Sequence, residues 1–343
     1  MARTDSQNEN MQHATCNMQQ TRMTKQVVLT GSVAFDYIMR FPGNFNEHIL
    51  PDQLERLSLS FLVDDMRKEK GGIGANIGYT MGLLGANPLL VATAGQDFGE
   101  YRDWLEAHHV DTSGVKVIAD KFTASFFVNT DLGNRQIATF YAGAMGDSAE
   151  LSLTELDRDG IEFVVVSPAS PDGMVKMVRQ SKELGIPYVY DPSQQTVRLS
   201  AEDLREGIDG SLMLIVNDYE LSLIEKKTGW DSAVIARKVA ILVITKGEHG
   251  ATVITHDGVF DSAAALTDHV ADPTGGGDAF RGGFFRAYTA GADWVTAAQI
   301  GSLAATYCLE QIGTQAHSYT IPDFIARYAR YYGDAGKVEA LLQ

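Results

Sequence analysis

From Val27 onward, short apolar runs rich in β-branched residues alternate with longer stretches whose apolar positions recur at helical spacing. VVLTGS (27–32), PLLVATAGQ (88–96), EFVVVSP (162–168), IPYVYDP (186–192), LMLIVND (212–218) and VAILVITKG (239–247) predict strands. IGANIGYTMGLLG (73–85), DGMVKMVRQSKELG (172–185) and YELSLIEKKTG (219–229) predict helices between them. Nearly continuous apolar strands separated by helices predict an α/β fold, with a mostly parallel central sheet covered on both faces. The strand ends at Ser32, Asp97, Pro168, Asp191, Asn217 and Gly247 should then converge on one rim, where open α/β sheets bind ligands.

Two segments break this alternation. Residues 37–70 carry LSLSFLVDD between charged or proline-containing flanks, and FTASFFVNTDLGNRQIATFYA (122–142) predicts a hairpin turning at Asp131–Asn134. Together they predict a small discontinuous β-sheet over the rim, a lid drawn from about 37–70 and 121–143; surface strands without a lid role are the other reading. With no internal repeat or proline-rich linker, residues 25–343 read as one domain. The first 24 residues are rich in Gln, Asn, Thr and Met and have no apolar h-region, so they predict a disordered extension rather than a signal peptide. Strand-like sequence starts just after Met23, which makes that residue a candidate start.

Composition narrows the function classes. A net charge of −16 disfavours nucleic acid and anionic membrane surfaces as partners, while leaving room for a small anion in a local pocket. Two cysteines, Cys16 and Cys308, give neither a disulfide framework nor a cysteine-based zinc site. No run approaches the roughly 20 apolar residues that span a bilayer, so a cytoplasmic location is the expectation.

The densest chemistry lies in DPTGGGDAFRGGFF (272–285). Glycines leading into a helix leave unpaired N–H groups pointing outward, where the helix dipole adds positive potential. Gly275, Gly276 and Gly277 could thus cradle a phosphoryl group, and Asp278 could take the proton of an attacking hydroxyl. A bland reading stands beside this one: an aspartate in a first helical turn suits the dipole, and Gly282 and Gly283 suit close packing. The chain has no GxxxxGK[ST] P-loop. GGIGANIG (71–78) follows the charged DDMRKEK rather than a strand, which argues against a dinucleotide fold.

GGIGAN, NDYE (217–220), TKGEHG (245–250) and DPTGGGDAF occur in an order and spacing that resembles the ribokinase-like (PfkB) carbohydrate and nucleoside kinases across residues 26–335. GSVAFDYIMRFPG, LSLSFLVDD, TDLGNRQIATFYAGAM and DPSQQTVR resemble bacterial adenosine kinases in particular. Gly276 departs from the many relatives that have alanine there, and it predicts a slightly looser anion hole.

The resemblance implies a ribokinase-like three-layer α/β/α core and a set of site roles. Asp36, Gly72 and Asn76 would clamp the ribose, with Ser32 and Ser60 adding contacts to the nucleoside. Phe126 and Phe140 would sandwich a purine; Gln194, Gln195 and Arg198 would lie near the base and phosphate. Asn217, Thr245, Lys246, Gly247, Gly250 and Gly277 would line the ATP site. Asn217 and Glu220 would approach Mg²⁺ through water, although Asn followed three residues later by Glu also reads as a capping box. A potassium ion would sit near Asp272.

The expectation is therefore ATP- and Mg²⁺-dependent phosphorylation of a purine nucleoside 5′-hydroxyl, adenosine first, by direct in-line transfer, with a homodimer formed through the lid. The alternatives are a free sugar or inosine and guanosine as acceptors, a non-catalytic nucleoside binder, and a nicotinamide oxidoreductase.

Overall fold

The computed structural model describes residues 25–49, 55 and 58–343, so the expectations for the first 24 residues lie outside the described residues. Nine strands form the larger sheet: β1 Gln26–Thr30, β4 Leu89–Gly95, β5 Val115–Ile118, β8 Ile161–Val166, β9 Tyr188–Tyr190, β10 Met213–Asn217, β11 Ile241–Thr245, β12 Ala251–Thr255 and β13 Gly258–Ser262. The other four, β2 Ala34–Arg40, β3 Asp65–Gly71, β6 Ala124–Thr130 and β7 Gln136–Tyr141, form a separate smaller sheet.

The large sheet runs β13-β12-β11-β10-β9-β8-β1-β4-β5 and is parallel except at β12 and β13. Successive strand residues serve opposite faces. Val27, Leu29, Phe163, Val165, Ile215 and Val243 join one buried cluster, whereas Val28, Val164, Val166, Leu214, Val216 and Leu242 join the other. Both faces are therefore dry, which is why these strands read as unbroken apolar runs. Helices Ile73–Leu83, Gly276–Thr289, Trp294–Leu309 and Ile321–Tyr332 cover the first face. Pro171–Leu184, Ala201–Ile208, Asp218–Thr228 and Ser232–Lys238 cover the second. Among the described residues no helix is long and apolar enough to cross a membrane.

Close approach around helix Gly276–Thr289 explains its two internal glycines. A Cβ at Gly283 would stand 2.9 Å from Gly301 Cα, and one at Gly282 would stand 2.7 Å from Thr80 Cβ. Each costs about 1 kcal/mol of helix propensity against alanine, and both are set by packing.

The small sheet runs β3-β2-β6-β7. Its hairpin turns where the sequence predicts. Asp131 is buried in the turn, with Oδ1 accepting from the N–H groups of Gly133 (2.8 Å) and Arg135 (2.9 Å), while Asn134 takes φ 58°. LSLSFLVDD behaves otherwise. Residues 58–63 form no strand, and the strand falls on the charged DMRKEKG, paired antiparallel with β2. An edge strand with one side open to water tolerates charge, and charge protects it from unwanted pairing. Apolar patterning therefore does not reveal it.

Candidate active site

Helix Gly276–Thr289 begins between two cavities. Gly275 is its N-cap at φ 83°, with space for a Cβ closed by Thr314 Cβ at 2.8 Å. Only glycine adopts that backbone without strain. One cavity of about 530 Å³ is lined by Ser32, Asp36, Gly72, Asn76, Phe126, Phe140, Gln194, Gln195, Arg198 and Asp278, among others. The other, of about 610 Å³, is lined by Asn217, Thr245, Gly247, Gly250, Gly276 and Gly277, and is otherwise largely apolar. The two glycines and the aspartate that follows them thus face different cavities within one helical turn.

The first cavity is built where the core strands meet the small sheet. Ser32, just beyond β1, accepts from Ile73 N at 3.1 Å, and Gly72 leads into that helix at φ 94°. A Cβ at Gly72 would lie 2.6 Å from Ala34 N and from Ser32 O, so the two chain segments meet there backbone to backbone. Asp36 projects from β2 towards the cavity. Its pKa is raised to about 6, first by burial and then by the neighbouring Asp272 and Glu69. Phe126 on β6 and Phe140 on β7 are direct cross-strand partners, and Phe140 is half exposed to the cavity. Gln195 is anchored by its Nε2 donating to Ala169 O at 2.7 Å, and its buried Oε1 has no partner. Lys227 Nζ donates at 2.8 Å to the carbonyls of Thr196, Val197 and Leu199, which holds the loop carrying Gln194 and Arg198.

Asn76 Nδ2 donates to Asp278 Oδ2 at 2.8 Å. Burial raises the Asp278 pKa to about 6. Arg281 and the Asn76 hydrogen bond oppose that rise, while Asp191 and Glu220 add to it. A carboxylate that titrates near pH 6 is ionised at neutral pH and still basic enough to accept a proton.

Several residues occupy other positions than expected. Ser60 is on the exposed stretch after residue 57 and does not line the cavity. Lys246 Nζ donates to Thr252 Oγ1 at 2.5 Å and lies 3.8 Å from Asp261, away from the cavity lining, because β12 and β13 fold back beside it. Gly275 lines neither cavity; it is used in the turn itself.

Glu220 and Asn217 form the reciprocal capping box: Asn217 N donates to Glu220 Oε2 at 2.9 Å and Glu220 N donates to Asn217 Oδ1 at 2.7 Å. Glu220 Oε2 also lies 3.9 Å from Arg281. An oxygen already shared by an N–H and a guanidinium does not suit direct Mg²⁺ ligation. Among the described residues no group of three or more His, Cys, Asp or Glu side chains is gathered for a metal ion. This donor set fits only a hydrated ion held chiefly by nucleotide phosphates.

Asp272 uses its carboxylate to brace two loops, accepting from Thr274 N at 2.9 Å and from Gly313 N at 3.2 Å. Three residues outside the expected set complete the site. Thr314 and Gln315 contact Asn76 Oδ1, each at 2.9 Å, and Arg281 is buried against Asp191. Arg281, one helical turn after Asp278, could have been noticed from spacing; Thr314 and Gln315 could not.

Known proteins share this architecture. A ligand-free nucleoside kinase from Burkholderia thailandensis is 39% identical and superposes with a TM-score of 0.81, covering 88% of this chain and 99% of that one. Its complex with inosine gives 37% identity and a TM-score of 0.78, over 90% and 98% of the two chains. A nucleoside kinase from Methanothermobacter thermautotrophicus is 28% identical over 315 residues, 90% of this chain and 97% of that protein. The model of the pfkB family carbohydrate kinases matches residues 26–321. With its ribokinase-like α/β core and a match across most of its length, the chain belongs to the pfkB family of carbohydrate kinases.

Proposed function

We propose that this protein is an ATP-dependent nucleoside kinase acting on the 5′-hydroxyl of a purine nucleoside, with adenosine as the first candidate. The observation that carries the reading is the helix start at Gly276–Asp278, whose glycines line one cavity and whose aspartate lines the other. The nucleoside occupies the cavity of Asp36, Asn76, Phe126 and Phe140, and ATP that of Asn217, Thr245, Gly247 and Gly250. The similarity to nucleoside kinases supports this assignment, as does a similar protein's complex with ADP and inosine.

Asp278 accepts the hydroxyl proton as the oxygen attacks the γ-phosphorus; the new O–P bond forms while the bond to the ADP oxygen breaks. The N–H groups of Gly276 and Gly277 stabilise the charge on the moving group, and Gly275 sets the turn that aims them. Asp36 accepts hydrogen bonds from ribose hydroxyls, an acceptor-only group suited to a diol. Gly72 lets the backbone come close, and Ser32 holds the adjoining helix start. Phe126 and Phe140 offer apolar rings to the base from one face of the small sheet. Gln194 and Gln195 face the base, and Arg198 approaches the phosphate. Mg²⁺, when bound with ATP, would supply charge neutralisation on the phosphates, and Asn217 and Glu220 are the residues that would hold it through water. A potassium ion beside the Asp272 loop would steady the same turn.

Inosine or guanosine is the second reading for the base, favoured by the inosine complex of the Burkholderia protein. The edges of the small sheet, β3 and β7, are free among the described residues, and β7 is exposed along its whole length, which supports a homodimer through the lid. ADP release measured with ATP and adenosine tests the reading. Turnover in the wild-type protein that disappears in Asp278→Asn supports it, and absence of turnover with adenosine, inosine and guanosine sinks it.

A further inference from the structure

We propose that Arg281 is a positioning residue for the transfer step, a buried guanidinium that holds one wall of each cavity and the Asp278 turn in a single register. The inference rests on the kinase reading above and extends it.

The Arg281 side chain is only 7% exposed, and its Nη2 lies 2.7 Å from Asp191 Oδ1 and 3.9 Å from Glu220 Oε2. Those two carboxylates follow neighbouring strands, Asp191 just beyond β9 and Glu220 in the first turn of the helix after β10. Asp191 follows β9, is fully buried, and accepts at its other oxygen from Ser167 Oγ at 2.9 Å. Ser167 precedes Pro168, and Asp191 leads into Ser193–Gln195; Pro168 and these three residues line the nucleoside cavity. Glu220 is locked to Asn217, which lines the nucleotide cavity. Arg281 itself stands on the helix that begins between the cavities, one turn after Asp278.

The guanidinium is also close to the amide cradle. A Cβ on Gly277 would lie 3.0 Å from Arg281 Nη1, and Arg281 Nε is buried without a hydrogen-bond partner. A fixed positive charge therefore lies beside the glycine that lines the nucleotide cavity. Arg281 lines neither cavity, so it acts through the groups it holds. One nitrogen, Nη2, donates to Asp191 and faces Glu220 from 3.9 Å, so a single always-protonated guanidinium bridges carboxylates on two elements.

Removing the guanidinium alone would leave Asp191 buried and unpaired, so stability and positioning must be separated. The test compares Arg281→Met, Arg281→Lys and the double variant Arg281→Met/Asp191→Asn by thermal unfolding and by steady-state kinetics with adenosine and ATP. The double variant removes both partners of the close ion pair and should recover most of the melting temperature that Arg281→Met loses. A positioning role predicts that its kcat nevertheless stays about 10²-fold below wild type, with both KM values within about threefold, because misplacement of reacting groups on that scale is costly. Arg281→Lys, which keeps the charge without the fork, should recover part of kcat. If Arg281→Met fails to fold, the other two variants carry the test.

A double variant that regains kcat together with its melting temperature would reduce Arg281 to a structural ion pair and overturn the proposal. So would a folded Arg281→Met within about threefold of wild-type kcat. Either result leaves the kinase reading intact provided the wild-type protein phosphorylates adenosine. Absence of wild-type turnover with adenosine, inosine and guanosine alike would remove both.

Discussion

Asn76 Nδ2 donates to Asp278 Oδ2 at 2.8 Å, although the two residues are 202 positions apart. The amide is oriented from behind: Gln315 Nε2 donates to Asn76 Oδ1, and the Thr314 hydroxyl lies within reach of both that oxygen and the Lys70 carbonyl. With its oxygen engaged there, Asn76 presents its NH₂ to the carboxylate. The bond favours the ionised form of a group that burial drives towards neutrality.

The acid side of the kcat/KM profile should therefore fall through a pKa near 6, the value to which Asp278 is raised. Asn76→Ala removes a hydrogen bond that lowers this pKa, so the acid limb should move to higher pH. Activity at pH 6 should then drop more than activity at pH 8. An acid limb unchanged in Asn76→Ala would contradict the role assigned to this contact.

Asp278→Asn should lower kcat by about 10²–10⁴-fold, the usual contribution of a general base, while nucleoside binding persists. Its stability should change in the opposite sense. Asp278 and Asp36 are raised from 3.8 to about 6, so the fold favours their protonated forms. The stability they contribute is complete below pH 3.8 and is lost as pH rises through about 6. Asp278→Asn and Asp36→Asn should accordingly unfold at higher temperature than wild type at pH 8, with the gain vanishing near pH 4. Thermal melts at the two pH values check the sign.

Phe126→Ala and Phe140→Ala should each raise the nucleoside KM by about 5- to 150-fold, corresponding to ~1–3 kcal/mol of base stacking. The KM for ATP should hardly change, because neither ring reaches the second cavity. Equal losses for both substrates would point to a damaged lid rather than a lost base contact.

Glycines 275 and 276 should respond differently to alanine. A Cβ at Gly276 would meet Leu309 Cδ2 at 2.9 Å, the mobile end of a side chain, and the residue is helical. Gly276→Ala should leave kcat within about threefold of wild type. Gly275→Ala must adopt φ 83° against Thr314, which costs roughly 1–2 kcal/mol before any clash is relieved. Denaturant melts and kinetics on the pair distinguish a backbone requirement from a preference.

Most of the large sheet was legible because strands dry on both faces carry unbroken apolar sequence, as in Val164–Val166. β3 was not, since an edge strand can be DMRKEKG, nor were β12 and β13, whose mixed exposure produces no apolar run. The glycines and Asp278 stood out because the backbone chemistry is written in adjacent residues. Thr314 and Gln315 act only through a tertiary contact to Asn76, and local sequence holds no trace of that. Lys246 and Ser60 show the converse, polar residues beside a motif whose side chains lie elsewhere.

Relative kcat/KM for adenosine, inosine, guanosine and free ribose, measured by ADP release with one enzyme preparation, tests the central claim most directly. The site predicts that a purine nucleoside exceeds ribose by at least about fivefold, the lower end of what base stacking provides. A preference for ribose would contradict it.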